Sequence, residues 1–303
     1  MPLSERFREH KDLPRMMDIL QRAEAALLWL VYHFFRALPL DLASRFGGWL
    51  ARTVGPLLPP SRRAKRGLEL ALPGRDHARI IRDMWENLGR MAGEYPHSLE
   101  FVRDLTRMEL AGAETVLAMR AAGQPMLFFS GHIGNWELTY PLMARLDIHG
   151  AGVFRAPNNP HLAWLFDRAA YPHIGMIPKG AAGARKSIEV LKEGKSLAMF
   201  VDQKMNDGIE APFFGHPAMT APALAGLALK FGYPVVPFRI VRLDGARFRV
   251  EFKEPLRFEK TGDRNADLLA AMTKVNQVLE GWISEYPAQW LWLHRRWPKE
   301  LYR

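Results

Sequence analysis

A histidine and a carboxylate follow one short apolar run in this sequence. Residues 126–129 are apolar, His132 comes three residues after them, and Glu137 lies five residues beyond His132. In open α/β sheets, ligands bind at the carboxyl ends of strands, where the next helix start presents backbone N–H groups to an anion. A carboxylate against an imidazole fixes the tautomer and stabilises the imidazolium. The spacing therefore predicts that His132 is a general base oriented by Glu137.

Other interpretations of the same residues stay open. His132 could be a structural histidine at a helix start. Ser130 is an alternative nucleophile, but the G-x-S-x-G elbow is absent and its position does not aim the hydroxyl at His132. A zinc site lacks the H-E-x-x-H pattern and an obvious third ligand, so no metal is expected. The chain has no cysteine, which excludes thiolate chemistry and disulfides.

Arg155 follows the apolar run 152–154, at a second predicted strand end. A guanidinium binds phosphate through two parallel hydrogen bonds, so Arg155 is a candidate contact for an anionic substrate. The alternative is an ordinary surface arginine.

Residues 179–187 lie between a predicted strand and a predicted helix. The segment does not have the G-x4-G-K-[ST] spacing, which excludes a P-loop for nucleotides. Lys179 and Arg185 are nevertheless candidates for phosphate contacts at the helix start, with a plain connecting loop as the alternative.

Asp202 directly follows the apolar run 196–201. We expect its carboxylate to brace either Arg155 or the loop that carries His132. Lys204, two residues later, is expected to meet an anionic group.

The apolar pattern places these candidates on an α/β fold. Short apolar runs alternate with helical stretches, which is typical of a mixed, mostly parallel sheet flanked by helices. A helix is predicted over residues 76–110 and another over 263–283, and the period-two segment 248–258 predicts a late antiparallel strand. The predicted strands before it are 126–129, 152–154, 176–178, 196–201 and 233–243.

Residues 1–60 are predicted to form an N-terminal helical segment that associates with membranes, ahead of an α/β domain over 61–303. The longest charge-free run, 25–35, is about half of the ~20 residues that a spanning helix needs. Its aromatic side chains favour the membrane interface. An ordinary buried helix is the alternative. The first residues show no apolar core followed by a cleavage site, so no secretory signal is expected.

The C-terminal region contains an aromatic and basic cluster. Aromatic residues spaced by two indicate either a surface that faces a membrane interface or a half-buried last strand. The cluster comprises Trp290, Trp292, Trp297, His294, Arg295 and Arg296.

Composition and charge limit the class of protein. With 303 residues, 48% of them hydrophobic, the chain is globular and not disordered. A formal net charge of +10 favours an anionic partner: nucleic acid, membrane phospholipid or an acidic carrier protein. No nucleic-acid-binding motif is present, so nucleic acid is not expected. A basic phospholipid- or nucleic-acid-binding protein with a structural His132 is the non-enzymatic alternative.

Residues 131–137, GHIGNWE, resemble the H-x4-[D/E] motif of glycerolipid acyltransferases. The form with Asn-Trp-Glu resembles the bacterial lipid A biosynthesis acyltransferases, the lauroyl/myristoyl family. Further blocks resemble that family in the same order along nearly the whole chain: 68–73, 86–90, 94–96, 155–160, 202–204, 212–215 with Thr220, and 291–297.

The resemblance implies a glycerolipid acyltransferase-like fold and a reaction. A fatty acyl chain would pass from an acyl carrier protein or coenzyme A thioester to a hydroxyl of a lipid acceptor, with no further cofactor. His132 would be the base and Glu137 its partner, while backbone N–H groups near Gly134 and Asn135 would hold the oxyanion. The implied acceptor is an anionic lipid A precursor, with another glycolipid, glycerophospholipid or secondary-metabolite lipid as the alternative. The implied location is the cytoplasmic face of the inner membrane.

Overall fold

A computed structural model describes residues 15–166, 171 and 173–302 of the chain. Nine strands lie within these residues. They are β1 (Met108–Ala111), β2 (Leu127–Ser130), β3 (Gly150–Phe154), β4 (Ile174–Pro178), β5 (Ser196–Phe200), β6 (Lys204–Phe213), β7 (His216–Thr220), β8 (Val235–Arg242) and β9 (Phe248–Phe252).

Ten α-helices lie in the same part of the chain, together with short 3-10 turns such as Trp136–Leu138 and Pro160–Phe166. They are α1 (Arg15–Ala37), α2 (Leu40–Val54), α3 (Pro60–Ala71), α4 (His77–Glu94), α5 (Glu100–Arg103), α6 (Glu114–Ala121), α7 (Thr139–Arg145), α8 (Ala181–Lys192), α9 (Ala223–Phe231) and α10 (Arg264–Glu285).

Seven strands form one sheet in the order β1-β9-β8-β2-β5-β3-β4. Every neighbouring pair is parallel except β8 and β9, which are antiparallel. The predicted α/β class with a mostly parallel sheet is therefore confirmed. Strands β6 and β7 form a separate antiparallel hairpin that the apolar pattern did not predict.

The central strands are apolar on both sides because both faces of the sheet are covered. All four residues of β2 are buried. Leu127 and Phe129 belong to one core layer, whereas Phe128 belongs to the layer on the opposite face. A strand buried on both faces has a continuous apolar sequence, which explains why β2 shows no alternation.

Two predicted elements end earlier in the structure than in the sequence analysis, both next to prolines. The helix predicted over 76–110 ends as α4 at Glu94, before Pro96, and the chain then turns into the edge strand β1. The strand predicted over 248–258 ends at Phe252, before Pro255. A proline has no N–H with which to continue the α-helical hydrogen bonds or a sheet ladder, and Pro96 lies in the 3-10 turn Tyr95–His97 that follows α4.

Helix α2 contacts helix α4 through glycines. A Cβ atom on Gly47 would lie 2.3 Å from the Gly89 carbonyl oxygen, and one on Gly89 would lie 2.2 Å from that of Gly47. A side chain at either position would force the two backbones apart. The absence of side chains at these two glycines therefore allows α2 to pack directly against α4.

Helix α1 is attached to the loop that follows β3. The Asn159 side-chain amide donates to the Gln21 carbonyl at 2.8 Å and to Glu24 at 2.9 Å. The rings of Tyr32 and Trp164 meet edge to face with centroids 5.2 Å apart. These contacts place α1 along the edge of the sheet where β3 ends.

The outer surfaces of α1, α2 and the turn after them are strongly apolar. Fifteen of the twenty-one large hydrophobic side chains that are exposed in the described residues lie between 16 and 58. They include Trp29, Phe34, Trp49 and Leu57, the last with 84% of its surface accessible. Across the described chain, no helix combines the length and apolar character needed to cross a bilayer.

A buried ionic network joins α2, α4, β8 and the loop after β2. Glu94, 1% exposed, accepts hydrogen bonds from Ser44 at 2.7 Å, Asn135 at 2.7 Å and Arg242 at 3.0 Å. The Arg242 guanidinium also donates to the Asn87 side chain at 2.9 Å, and Asn87 donates to the Gly134 carbonyl at 2.9 Å. A buried carboxylate with this many donors is tolerated only while its cation stays in place.

We predict that Glu94→Gln lowers the free energy of unfolding by about 3–5 kcal/mol, because it leaves the Arg242 guanidinium buried without its counter-charge. Urea denaturation monitored by tryptophan fluorescence measures this. Glu109→Gln is the matched control, since Glu109 pairs with Arg249 at the surface and should matter little. An equal decrease in the free energy of unfolding in the two variants would contradict a structural role for the network.

Candidate active site

Parallel pairing of β2 with β5 brings His132 next to Asp202. In the register of these strands, Ser130 lies opposite Phe200. Continuing by two residues places His132 opposite Asp202, and the bonds across this pair are short. The backbone N–H of His132 donates to Asp202 Oδ2 at 2.8 Å, and ring atom Nδ1 lies 2.7 Å from Oδ1.

Asp202 is buried, with only 3% of its surface exposed, and it accepts three hydrogen bonds. The third comes from the Trp290 indole N–H at 2.7 Å. Burial alone would raise the pKa of the Asp202 carboxyl. The positive charge of His132, followed by the hydrogen bonds from His132 and Trp290, outweighs burial and holds this pKa below its ordinary value. Asp202 is therefore a carboxylate.

The charge of Asp202 fixes the tautomer of His132. An ionised carboxylate only accepts hydrogen bonds, so Nδ1 carries the proton in the contact with Oδ1. The lone pair of a neutral His132 is then on Nε2, and the side-chain amide nitrogen of Gln203 donates to that atom at 3.3 Å. The His132 side chain is 15% exposed. This arrangement is that of a general base that presents Nε2 to a substrate.

Three further rings surround the imidazole of His132. The ring centroids of Phe200, Trp136 and His294 lie 4.9, 5.1 and 6.2 Å away. The pKa of His294 is lowered by desolvation and then by the positive charge of His132, which favours the neutral form of His294.

The loop that carries His132 is held by the C-terminal segment. Gly134 has a φ of +61°, and a Cβ atom on it would lie 1.8 Å from the Ile240 carbonyl oxygen, so only glycine fits there. Its N–H donates to the Gln289 carbonyl at 2.9 Å, and the Leu291 N–H donates to the His132 carbonyl at 3.1 Å. The Gly134 N–H thus already donates a hydrogen bond within the protein, and the expected oxyanion contact from it is not supported.

Asn135 also supports the loop from within. It is 1% exposed, and its side-chain amide donates to Glu94. Its side-chain oxygen is buried and finds no hydrogen-bond partner in the described structure. The buried side chain therefore positions the loop, and the oxyanion contact expected from the Asn135 backbone N–H stays a prediction.

Glu137 lies in the 3-10 turn Trp136–Leu138 and is partly buried. Within the described residues, the hydrogen bonds of the His132 ring go to Asp202 and Gln203. Among the described residues, the partner of Nδ1 is thus Asp202 and not Glu137, and a catalytic role of Glu137 stays a prediction. The reason for the pairing with Asp202 is geometric: the neighbouring parallel strand delivers a carboxylate directly to Nδ1, whereas Glu137 starts a new turn beyond Gly134.

Arg155 and Lys179 lie together at the ends of β3 and β4. The Lys179 backbone N–H donates to the Phe154 carbonyl at 2.9 Å. Desolvation lowers the pKa of Lys179, with a raising effect from Asp202 and a further lowering effect from Arg155. Lys179 therefore lies within electrostatic range of Asp202, and Arg155 lies within electrostatic range of Lys179.

The remaining two predicted cations differ in their placement. Lys204 opens β6, two residues after Asp202, and is partly buried. Arg185 is exposed within α8, and no hydrogen bond or ion pair joins it to the described residues of the His132 site. Lys204 is thus near Asp202 in the chain, and a contact of either cation with an anionic group stays a prediction.

The C-terminal tryptophans are core residues. Trp290, Trp292 and Trp297 are 2%, 1% and 1% exposed, which corrects the expectation of an interface-facing or half-buried surface. Arg296 is equally buried, where it donates to Thr220 at 2.7 Å. Burial lowers the pKa of Arg296 to about 10. The segment therefore packs under the site.

Sequence reasoning did not identify Gln203, Trp290 and His294 as parts of the His132 site. Gln203 had a usable signal, because it is adjacent to the strand-end residue Asp202. The other two had none, since their proximity to His132 depends on how the C-terminal segment packs. Across the described residues, no group of three or more histidine, aspartate or glutamate side chains is arranged to hold a metal ion.

We predict that Asp202→Asn lowers the free energy of unfolding by about 1–3 kcal/mol at pH 7, because an amide cannot accept all three hydrogen bonds. The pKa of Asp202 is lower in the folded state than the unfolded value of about 3.9. Its stabilising contribution is thus present above about pH 4 and is lost as pH falls through the folded-state pKa.

The difference in the free energy of unfolding between wild type and Asp202→Asn should consequently become smaller below about pH 4. Urea denaturation over a pH series measures this difference. Asp263→Asn is the control, since Asp263 is an exposed helix cap. A difference in unfolding free energy that stays constant down to pH 3 would contradict a buried, ionised Asp202.

Known proteins resemble this chain along most of its length. A family model described as bacterial lipid A biosynthesis acyltransferase matches residues 12–299. A lipid A biosynthesis acyltransferase of Haemophilus influenzae is 29% identical over 173 residues, which is 54% of this chain and 54% of that protein. The chain thus aligns with about half the length of this curated relative. Because the family model covers nearly all of the sequence, the protein belongs to the bacterial lipid A biosynthesis acyltransferase family.

Proposed function

We propose that this protein is an O-acyltransferase that moves a fatty acyl chain from a thioester to a hydroxyl group of a lipid A precursor. The observation that carries the proposal is the contact of His132 Nδ1 with buried Asp202, which directs the lone pair of Nε2 away from the carboxylate. Family membership supports the choice of acyl transfer to a lipid A-like acceptor.

The proposed reaction begins with the acceptor hydroxyl in place of the Gln203 amide at Nε2. His132 takes the hydroxyl proton as the oxygen attacks the thioester carbonyl carbon. The tetrahedral intermediate then expels the thiolate, which takes the proton from the imidazolium. Asp202 stabilises the imidazolium between these two proton transfers. No covalent intermediate on the enzyme is required.

Positive charge at the ends of β3, β4 and the start of β6 suits the anionic groups of this reaction. We assign Lys179, Arg155 and Lys204 to the acceptor or to the developing oxyanion. Glu137 keeps a proposed role as the carboxylate of the H-x4-E motif, acting on the site without a bond to the His132 ring. The donor is proposed to be acyl carrier protein or acyl coenzyme A, and a net charge of +10 favours an acidic donor.

We also propose that residues 16–58 bind the surface of a membrane, on its cytoplasmic side. Phe34, Phe46 and Trp49 form a continuous aromatic patch, with successive ring centroids 5.7 and 5.8 Å apart. Exposed apolar patches of this extent are rare on monomeric soluble proteins and mark interaction surfaces. Interfacial helices with aromatic side chains on one face lie in the plane of a bilayer.

We predict that His132→Ala lowers the rate of acyl transfer to a lipid A precursor by about 10²–10⁴, since it removes the general base. Thin-layer analysis of radiolabelled product, with acyl carrier protein as donor, measures this rate. Glu137→Gln, which keeps the shape and removes the charge, should also slow transfer if the motif carboxylate contributes.

His149→Ala is the matched control for His132→Ala. His149 is exposed and directly precedes β3, at the opposite edge of the sheet from the site. Its variant should retain the wild-type rate and melting temperature. A His132→Ala enzyme with wild-type turnover would contradict the proposed mechanism.

We predict that the double variant Trp49→Glu, Leu57→Glu binds anionic phospholipid vesicles at least about tenfold more weakly, because burial of each apolar side chain contributes about 1.5–3 kcal/mol. Sedimentation with vesicles measures the bound fraction. Both side chains are exposed, at 59% and 84%, so the melting temperature should not change. Leu243→Glu and Leu269→Glu, exposed outside the N-terminal segment, serve as controls, and equal binding by all variants would exclude this surface.

A further inference from the structure

A strongly basic cavity of about 290 Å³ lies outside the immediate surroundings of His132. Three arginines of α3 and one of the C-terminal segment converge on it from elements far apart in sequence. The lining residues are Pro59, Arg62, Arg63, Arg66, Arg295 and Tyr302.

The positive charge of this cavity is only partly compensated. Arg66 pairs with Glu69 at 2.8 Å, and Arg63 donates to the Leu293 carbonyl at 2.9 Å. The side chains of Arg62 and Arg295 form neither a hydrogen bond nor an ion pair with another residue in the described parts of the chain. Four guanidinium groups therefore face one carboxylate, and two of them have all their donors available to a ligand.

Tyr302 adds a neutral donor to the same cavity. Its hydroxyl oxygen accepts the Arg296 backbone N–H at 3.0 Å. The hydroxyl proton is therefore free to point at a ligand oxygen. Guanidinium groups together with a phenol hydroxyl match the oxygens of a phosphate, because Arg binds phosphate through two parallel hydrogen bonds.

The cavity shares the C-terminal segment with the surroundings of His132. Arg295 follows His294, whose ring centroid is 6.2 Å from that of His132. The bond from Arg63 to the Leu293 carbonyl holds α3 against this same segment. A ligand group in the cavity and a hydroxyl at His132 Nε2 can thus belong to one molecule.

An apolar turn borders the cavity on its other side. Leu57 and Leu58 are 84% and 40% exposed, and they directly precede the lining residue Pro59. A phosphate bound by the arginines would accordingly lie at the boundary between a polar cavity and the proposed membrane-facing surface. This combination suits a phosphate carried by a lipid.

We propose that the cavity between α3 and Arg295 binds a phosphate monoester of the lipid acceptor and sets which hydroxyl reaches His132. The proposal rests on the proposed acyltransferase function. The cavity volume of about 290 Å³ lies just below the range of about 300–1,000 Å³ typical of small-ligand pockets, which suits a phosphate group on a sugar and is too small for the face of a carrier protein.

The test is steady-state transfer in detergent micelles with two acceptors, a phosphorylated lipid A precursor and the same lipid after phosphatase treatment. The double variant Arg62→Gln, Arg295→Gln should raise KM for the phosphorylated acceptor at least tenfold, with kcat and the donor KM within twofold of wild type. For the dephosphorylated acceptor, wild type and variant should have the same KM. Arg264→Gln, an exposed arginine at the start of α10, is the matched control.

The outcomes separate this site from the proposed function. Equal KM values for both acceptors in wild type, or an unchanged KM in the double variant, would overturn the phosphate site while leaving acyl transfer intact. A rise confined to the donor KM would overturn it in favour of carrier docking. A variant with normal KM in micelles that loses binding to anionic vesicles would overturn it in favour of bulk phospholipid headgroups.

A wild-type enzyme that transfers no acyl chain to either lipid would instead refute the proposed function. In that case, equilibrium binding of the two lipids in micelles tests the cavity alone. Tighter binding of the phosphorylated lipid by wild type, lost in the double variant, would support the site, and equal binding of the two lipids would overturn it.

Discussion

The geometry of the site depends on one buried carboxylate, Asp202. A charge out of water is costly unless donors surround it, and Asp202 is stable only while the His132 N–H, the His132 ring and the Trp290 indole all reach it. These donors come from the loop after β2 and from the C-terminal segment. The need to satisfy one charge thus orients the His132 ring and also holds two separate parts of the chain together.

Several residues in the sequence blocks that carry the family resemblance support the structure around His132 without a hydrogen bond to the His132 ring. Asn87 and Glu94 hold the loop of His132 through the Gly134 carbonyl and Asn135, and Gly89 lets α2 approach α4. Asn159, in the block after β3, anchors α1. These residues give the loop of His132 a rigid, buried framework, and in an active site a reacting group displaced by about 1 Å can lose much of the rate.

The fold class followed from the sequence, because alternating apolar runs and helical stretches allow few arrangements other than a covered parallel sheet. His132 was also predictable, from its place at a strand end. Its partner was not, since the order of parallel strands in a sheet is decided by packing far from the residues concerned. Asp202 was recognised as a brace, but only the adjacency of β2 and β5 shows that it reaches His132. The spacing of Trp290 and Trp292 suits a buried and an exposed segment equally well.

The long sequence separations within the site have a consequence for biosynthesis. His132 lies 70 residues before Asp202, and Trp290 lies 88 residues after it. At ribosomal rates of about 5–20 residues per second, the exposed apolar side chains of α1 and α2 are made on the order of ten seconds or more before Trp290. The exposed apolar surface of α1 and α2 is therefore present on the nascent chain before Asp202 can receive its third hydrogen bond and the surroundings of His132 can be complete.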